Sequence, residues 1–287
     1  MIPPAFAYHA PRSIGEALNL LTELGDDAKL LAGGHSLLPM MKLRFAQPGT
    51  LIDINRIPEL RGITEAGGMI RIGAMTSENE LIASKLLHDR LPLLPEAALL
   101  IADPQVRNRG TIGGDIAHGD PGNDHPAIAM ALDATFVLQG PKGERHVKAL
   151  DFFHGTYMTA LAENEILTAI LVAPFQHGTG YAYQKLKRKT GDWATAGAAV
   201  VMRMAGGVVT QISIGLTNVA PTALRATAAE AALMGQPVNE STLALVSTAV
   251  RAACDPAEDL RGDVEYKTAM AGEMVKRAIR TAASRCN

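Results

Sequence analysis

The amino-acid sequence predicts an α+β protein that is built from three consecutive domains. Near the N-terminus an amphipathic helix is followed at once by short apolar strands, which is typical of a small α/β unit. Farther along, strand-like runs are paired around glycine turns, and in the last third three strand candidates precede three helix candidates. These changes of pattern predict three domains, with the boundaries 1–56, 57–177 and 178–287.

The first domain begins with the clearest helix of the chain. The segment SIGEALNLLTELG opens with Ser13 and Glu16 at the spacing of a capping box, and it ends on Gly25, where a helix is expected to stop. Between them, five apolar residues form one stripe: Ile14, Ala17, Leu18, Leu21 and Leu24. The runs KLLA and TLIDI then predict two buried strands, and the first of these leads directly into a double glycine.

The second domain has the pattern of an antiparallel sheet with short helices. The segments GITEAGGMIRIG and ATFVLQGPKGERHVKAL each place a glycine turn between two strand-like runs, which predicts a hairpin. The run EILTAILVAP predicts one more strand. Short helices are predicted in SENELIAS and PLLPEAALLIA.

The third domain follows PFQHGTG, which we interpret as a linker. Its strand candidates are YAYQKLKRK, AGAAVVMRM and VVTQISIGLTN, and its helix candidates lie near 222–234, 240–253 and 264–283. Strands that come first and helices that come afterwards predict a separate α+β lobe, with a three-stranded antiparallel sheet and three helices.

Composition excludes several classes of function. A formal net charge of −2 and only 4% aromatic residues in 287 residues give no indication of a nucleic-acid partner. Cys254 and Cys286 lie far apart and outside any CxxC pattern, so this chain alone is not expected to hold an iron–sulfur cluster or a cysteine-rich zinc site. The start MIPPAFAYHAPRS lacks the pattern of a secretory signal, and no apolar run is long enough to span a bilayer. We therefore expect a cytoplasmic protein.

Two double glycines suggest where a ligand with phosphate groups binds. Gly33-Gly34 follows a predicted strand, and Gly113-Gly114 follows RNRGT. Loops that bind phosphate use backbone N–H groups, and a Cβ would keep the backbone away from the ligand. Two such loops from distant parts of the chain suit a ligand with two phosphates, although glycines also mark ordinary turns. A P-loop ATPase and a Rossmann site are disfavoured, because neither GxxxxGK[ST] nor GxGxxG occurs in a strand–helix setting.

The segment HGDPGNDH admits a second interpretation. His118, Asp120, Asp124 and His125 are residue types that bind metal ions. The proline and the glycine between them favour a turn instead. We therefore expect no metal site in this chain.

Three segments, in order, resemble a known family: AGGHSLLPMMKLR, IADPQVRNRGTIGGDIAHGDPGND and YAYQKLKRKTGDWATAGAAV. They are similar to the flavoprotein (medium) subunits of the molybdenum hydroxylases, the family of xanthine dehydrogenase, and the similarity extends over essentially the whole chain. Within that family, the branch that oxidises carbon monoxide is the most similar. The resemblance implies a two-part FAD-binding domain of the vanillyl-alcohol-oxidase (PCMH) type, followed by the C-terminal lobe.

The resemblance also implies which residues bind FAD. One side of the pyrophosphate is expected to contact a first set: Ala32, Gly33, Gly34, His35 and Ser36. The other side is expected to contact a second set: Thr111, Ile112, Gly113, Gly114 and Asp115. Ile101 and Ala102 fall where the family lines the adenine and flavin cleft, and Leu167 matches an apolar contact near the cofactor. Asp124 falls where a carboxylate accepts hydrogen bonds from the ribityl hydroxyls.

By the same resemblance, Lys185 and Trp193 fall on the segment that passes close to the isoalloxazine. Three residues depart from the family pattern. Asp115 replaces a usual asparagine, and a carboxylate repels a pyrophosphate unless it points at N–H groups or a cation. Trp193 replaces a frequent tyrosine, which keeps a flat cover but loses the hydroxyl. His125 stands where apolar residues are common, and it either tunes the flavin or only packs. No residue is assigned a catalytic role, because the cofactor does the redox chemistry.

By resemblance, the chain is the FAD-carrying electron-transfer subunit of a larger oxidoreductase. The expected partners are an iron–sulfur small subunit with [2Fe-2S] clusters and a large subunit with a molybdopterin cofactor, arranged as a dimer of heterotrimers. Electrons would pass from the iron–sulfur subunit to an external acceptor such as a quinone, in the cytoplasm or at the inner face of the cytoplasmic membrane. The alternatives are a subunit of a hydroxylase for aromatic or N-heterocyclic substrates, a self-sufficient flavin oxidoreductase, and a non-catalytic nucleotide-binding or assembly module.

Overall fold

Three main β-sheets follow one another along the chain in the computed structural model, which describes residues 1–286, and one two-stranded sheet accompanies the second of them. The first sheet has three parallel strands, β1 (Ala7–His9), β2 (Ala28–Leu31) and β3 (Thr50–Asp53), in the order β1-β3-β2. Helix α1 (Ile14–Leu24) leads from β1 to β2, and α2 (Leu37–Lys42) lies between β2 and β3. This arrangement is the small α/β unit that the sequence predicts.

Helix α1 begins and ends where the sequence predicts. The Ser13 side chain accepts a hydrogen bond from the amide of Glu16 at 3.2 Å, which satisfies one of the free N–H groups of the first turn. Gly25 follows the last residue of the helix with a φ of 55°, a conformation that favours glycine. The apolar stripe is buried through Ala17, Leu18 and Leu21.

Seven strands lie in the middle of the chain: β4 (Ile63–Ala66), β5 (Met69–Gly73), β6 (Thr135–Gly140), β7 (Gly143–Lys148), β8 (Phe153–Gly155), β9 (Met158–Thr159) and β10 (Ile166–Val172). Strands β8 and β9 pair with each other, and the other five form an antiparallel sheet in the order β4-β5-β10-β6-β7. Both predicted hairpins are present, and the third predicted strand, β10, lies at the centre of the sheet.

Six helices connect these strands: α3 (Glu78–Ala83), α4 (Lys85–Arg90), α5 (Leu93–Ala98), α6 (Pro104–Arg107), α7 (Ile112–His118) and α8 (Asp124–Ala131). Helices α3 and α5 match the predicted ones. Helix α7 does not match, because the sequence analysis treated the double glycine in TIGGDIAH as part of a loop. In the structure Thr111 caps α7, and both glycines lie in its first turn.

The third sheet is antiparallel and contains β11 (Gly180–Leu186), β12 (Ala196–Ala205), β13 (Val208–Thr217) and β14 (Leu224–Arg225), in that order. The two-residue strand β14 adds to the three predicted strands. Three helices follow as predicted: α9 (Thr227–Leu233), α10 (Glu240–Ala253) and α11 (Val264–Ala283). Helix α11 packs on β11 and β12, and its apolar face shares one core with α10 and this sheet.

Helix α8 lies between the second and third sheets. All eight of its residues are buried, and the six that follow Asp124 and His125 are apolar, as expected for a helix packed on every side. A Cβ at Gly215 of β13 would lie 2.0 Å from the carbonyl oxygen of Ala127, so a glycine is needed where the sheet meets the helix. This close packing fixes the start of α8, where Asp124 and His125 stand, at the junction of two sheets.

Each sheet draws its strands from one of the ranges 1–56, 57–177 and 178–287, and we propose this division as the domain organisation. The apolar cores are not separate, however. Leu21 and Ile54 of the first range share a cluster with Ile166 of the second. None of the helices in residues 1–286 combines the length and the hydropathy that crossing a bilayer requires.

Candidate functional site

A cleft of about 660 Å³ opens where the three sheets meet. This volume is in the range of sites that bind cofactors or other small molecules. The cleft is lined by fifteen of the sixteen residues that the sequence analysis assigned to FAD: Ala32, Gly33, Gly34, His35, Ser36, Ile101, Ala102, Thr111, Gly113, Gly114, Asp115, Asp124, Leu167, Lys185 and Trp193. Residues that are up to 161 positions apart in the sequence, from Ala32 to Trp193, therefore share one cleft.

The sixteenth residue, Ile112, does not line the cleft. Its side chain is 2% exposed and belongs to the core under the second sheet. Its amide donates a hydrogen bond to the carbonyl oxygen of Thr76 at 3.0 Å. The isolated bridge between Ser77 and Thr111 sets this geometry, since it pairs the residue before α7 with the start of α3. Its side chain and its amide therefore both have protein partners, and its assignment to FAD stays a prediction.

The loop after β2 presents a run of free backbone donors. Within residues 1–286, the amide N–H groups of residues 33–37 donate to no protein acceptor. Gly34 has a φ of 77°, the left-handed conformation that turns successive N–H groups toward one side of a loop. The Asn55 side chain holds the loop from behind, donating to the carbonyl oxygen of Ala32 at 2.8 Å. Such a concave row of N–H groups fits a phosphate group of a dinucleotide.

The segment at Gly113-Gly114 offers fewer free N–H groups than the loop after β2 does. The amide of Gly113 donates to the carbonyl oxygen of Ala74 at 2.9 Å, and that of Gly114 donates to the Thr111 side chain at 3.2 Å. The amide of Thr111 has no protein acceptor within residues 1–286. The first loop therefore offers most of the free donors among residues 1–286.

The glycines also bring protein segments together, which is a reason for them besides close approach to a ligand. A Cβ at Gly33 would lie 2.3 Å from the carbonyl oxygen of Arg109, so only a glycine lets the first loop lie against the second. A Cβ at Gly114 would lie 3.4 Å from the Cβ of Ala32, again across the two loops. A Cβ at Gly113 would lie 2.4 Å from the Cβ of Ala74, which directly follows strand β5. The sequence argument had invoked close approach to the ligand, which stays a prediction.

Asp115 points its carboxylate at the start of α8. Its Oδ2 accepts a hydrogen bond from the amide of His125 at 3.3 Å, and the Asn123 side chain donates to the Asp115 carbonyl at 2.9 Å. Burial, together with the charges of Glu78 and Asp124, raises the pKa of the Asp115 carboxyl to about 7, and the opposing charge of His125 limits the rise. A carboxyl that is partly protonated and already bonded to an N–H group repels a neighbouring phosphate less than a free carboxylate would.

His125 does more than pack, because it forms a buried pair with Glu78. Its Nε2 lies 2.9 Å from Oε1 and 3.0 Å from Oε2 of Glu78, and the two side chains are 1% and 2% exposed. Burial alone lowers the pKa of His125, but the charge and hydrogen bonds of Glu78, with Asp115 and Asp124 nearby, outweigh it and raise the pKa to about 9. The sequence analysis missed Glu78, since one acidic residue in the first turn of a helix has an ordinary explanation as a favourable helix start.

Asp124 and Lys185 form a second buried pair at the cleft. Lys185 Nζ lies 2.6 Å from Asp124 Oδ2, and the hydroxyl of Tyr183 donates to Oδ1 of the same carboxylate. Burial, with the charge of Asp124, raises the pKa of Tyr183. Both Asp124 oxygens thus have protein partners, and the ribityl contact stays a prediction. Of the residues that could instead have bound a metal, Asp124 and His125 are each engaged in an ion pair.

Cations hold the segment that contains Ile101 and Ala102. Lys187 Nζ donates to the carbonyl oxygen of Leu100 at 2.9 Å, and Arg107 Nη1 donates to that of Ile101 at 2.9 Å. Ala102 has a φ of 46°, which is strained for a residue with a Cβ. Such strain persists only where the surroundings hold the backbone in place. The fixed carbonyls therefore define this wall of the cleft.

Comparison with known proteins gives a consistent result. The family described as "FAD binding domain in molybdopterin dehydrogenase" matches residues 4–174, and "CO dehydrogenase flavoprotein C-terminal domain" matches residues 181–282. The carbon monoxide dehydrogenase medium chain of Hydrogenophaga pseudoflava is 66% identical over 286 residues and covers 100% of both chains. That of Afipia carboxidovorans is 51% identical and covers 99% of both.

The fold is also found in solved structures. A chain of the Hydrogenophaga pseudoflava carbon monoxide dehydrogenase, in a form that lacks the Mo-pyranopterin moiety of its cofactor, superposes with a TM-score of 0.99. The two chains are 69% identical in sequence, and the match covers 100% of each. These matches confirm the α+β class, with an FAD-binding domain followed by a C-terminal lobe.

Proposed function

The chain belongs to the family of FAD-binding medium subunits of molybdopterin dehydrogenases, and from this premise we propose that it is the electron-transferring subunit of a carbon monoxide dehydrogenase. It is an oxidoreductase component that works as part of a complex, and FAD is its cofactor. Two full-length relatives, 66% and 51% identical, carry the same name as carbon monoxide dehydrogenase medium chains. This agreement favours carbon monoxide over the aromatic or N-heterocyclic substrates of other family members.

The observation that supports the proposal best is the row of free amides beside the second loop. Residues 33–37 offer five N–H groups in a cleft wall, and Gly33 lets this wall lie directly against Arg109. Backbone N–H groups bind phosphate oxygens strongly when they are held in place before the ligand arrives. We propose that residues 33–37 and Thr111 hold the pyrophosphate of FAD from two sides.

The charged side chains at the cleft have supporting roles in this proposal. Lys185 places a buried cation at the wall, where Asp124 neutralises it and fixes its position. The pair of Glu78 and His125 joins the start of α3 to the start of α8, and the Glu78 amide donates to the carbonyl oxygen of Gly110, which keeps the second loop in place. When bound, FAD can take up electrons singly and release them in pairs, which is the chemistry that a link between one-electron and two-electron carriers needs.

The two cysteines support a division of labour between subunits. Burial raises the pKa of the Cys254 thiol to about 11 and also raises that of Cys286. A cluster requires several cysteine thiolates, and this chain has two cysteines in all. We propose that an iron–sulfur subunit delivers the electrons, that a molybdenum subunit oxidises carbon monoxide, and that the three form a dimer of heterotrimers. An external acceptor such as a quinone then takes the electrons from this chain.

One experiment tests both the FAD site and the electron path of the proposal. The purified complex is mixed with carbon monoxide in the absence of an acceptor, and the visible bands of the flavin and of the iron–sulfur clusters are followed separately. We expect the cluster bands and then the flavin band to bleach. Complex from which FAD has been removed should still show cluster bleaching but should fail to reduce an added quinone.

Two outcomes would contradict the proposal. A complex without any flavin band would refute the FAD site, and undiminished quinone reduction after FAD removal would refute the electron path. An isolated chain that oxidises a small reductant at the rate of the complex would support the alternative of a self-sufficient flavin oxidoreductase. Failure of carbon monoxide to reduce the complex, combined with reduction by an N-heterocycle, would assign the chain to another member of the family.

A further inference from the structure

The single tryptophan of the chain, Trp193, stands at the end of the cleft that the third sheet closes. Its side chain is 49% exposed, and within residues 1–286 its indole N–H donates to no protein group. Two contacts hold the ring. The guanidinium carbon of Arg261 lies 5.1 Å from the ring centroid, within the range of a cation–π interaction. A Cβ at Gly122 would lie 3.1 Å from Cδ1, so the ring rests against bare backbone there.

Asp192 ties Arg261 to the backbone of Trp193. Its Oδ1 accepts hydrogen bonds from the amide of Trp193 at 3.0 Å and from Arg261 Nε at 2.9 Å. Its Oδ2 accepts from Arg188 Nε at 2.8 Å. Burial alone would raise the pKa of Asp192, but the bonds from the two guanidinium groups outweigh it and lower the pKa. The carboxylate therefore stays ionised and keeps Arg261 over the ring.

Asp259 holds Arg261 in turn, and Lys267 of α11 anchors Asp259. Asp259 accepts a hydrogen bond from the amide of Arg261 at 2.7 Å through Oδ1, and its Oδ2 lies 2.9 Å from Lys267 Nζ. The Lys267 side chain is 1% exposed and also donates to the carbonyl oxygen of Ala257 at 2.8 Å. Exposed ion pairs contribute little because their side chains are free to move, whereas this one is anchored to a buried ammonium. The ion-pair chain thus runs from the C-terminal domain to the cleft.

We infer that Arg261 is a positioning residue that sets the orientation of the Trp193 ring in the cleft. Through Arg261, the C-terminal domain then controls the surroundings of the cofactor ring beside Trp193. The inference rests on the proposed function in that FAD occupies the cleft. It follows from the geometry, because a half-exposed indole with no hydrogen bond of its own keeps one orientation only if its faces and edges are held. Arg261 holds one face, and the backbone at Gly122 limits movement of the ring at Cδ1.

The test uses the purified full-length chain, in which Trp193 is the only source of tryptophan emission. Arg261→Gln is compared with Arg261→Lys and with the matched control Arg277→Gln, since Arg277 lies exposed on α11 and, among residues 1–286, forms an ion pair only with Glu273. Tryptophan emission and its anisotropy are measured without FAD. After loading, FAD content and the visible circular dichroism of the bound flavin are measured.

We expect Arg261→Gln to shift the tryptophan emission to longer wavelength, to lower its anisotropy and to weaken the flavin dichroism, with the FAD content unchanged. Arg261→Lys should recover part of each signal, because lysine keeps the charge but lacks the planar fork, and Arg277→Gln should match the wild type. Wild-type emission and dichroism in Arg261→Gln would overturn the inference, as would equal changes in Arg277→Gln. A wild-type complex that holds no FAD would refute the proposed function instead, and the emission of the chain measured without FAD would still test the role of Arg261.

Discussion

Replacing Gly33 with alanine tests whether the two loops grip the cofactor together. The new Cβ would lie 2.3 Å from the carbonyl oxygen of Arg109 and 3.0 Å from the Cα of Gly110. A carbon–oxygen contact needs about 3.3 Å, so the loops must separate by about 1 Å. The clash is with backbone atoms, so no side-chain rotation can relieve it. We therefore expect the free amides of residues 33–37 to move away from the Thr111 side of the cleft.

The size of the effect follows from the contacts that this shift would break. Overpacking of this kind costs about 1–3 kcal/mol of stability. A hydrogen bond from an amide to a charged group contributes about 1.5–3 kcal/mol, so losing one such bond to a phosphate weakens binding roughly tenfold to hundredfold. Gly33→Ala should therefore raise the dissociation constant of FAD by roughly that factor, while the chain remains folded.

The assay is a titration of the FAD-free chain followed by flavin fluorescence, with thermal unfolding measured in parallel. Gly15→Ala is the matched control, because Gly15 lies in α1 with no heavy atom closer than 4.0 Å to its added Cβ. An alanine in a helix is favourable, so this variant should bind FAD like the wild type. Wild-type affinity in Gly33→Ala would refute the reasoning that the loops act as one site.

Three further predictions concern the buried pairs. Glu78→Gln should lower the free energy of unfolding by about 3–5 kcal/mol, because it leaves His125 unpaired. The control Lys85→Ala breaks an exposed pair and should change the free energy of unfolding by less than about 1 kcal/mol. Denaturant titration measures both values. The pKa of His125 is raised from the ordinary 6.5 of a histidine to about 9 in the folded state, so stability should fall as pH rises through this window, and His125→Asn should flatten that part of the profile. Lys185→Met should reduce both FAD occupancy and stability, since the Asp124 carboxylate loses its cation, and retention of wild-type FAD content after gel filtration would contradict a role for Lys185 at the site.

Local pattern was sufficient for most elements of the fold. Helix α1 begins after Ser13 and ends before Gly25 because capping groups and an apolar stripe act within a few residues. The hairpins and α11 were predicted for the same reason. Helix α7 was missed, because two glycines in its first turn look like a loop to any local criterion. Its formation depends on Thr111 and on contacts with Ala74, which is distant in sequence.

The sequence by itself determined which segments line the cleft, since fifteen of the sixteen residues suggested by family resemblance lie in its wall. Only the tertiary structure decided how those segments work. It showed that Gly33 serves contact with Arg109, that Ile112 faces the core, and that Glu78 neutralises His125. The physical reason is that propensity and periodicity act over a few neighbouring residues, whereas these pairings are formed by chain segments that come together only when the sheets pack.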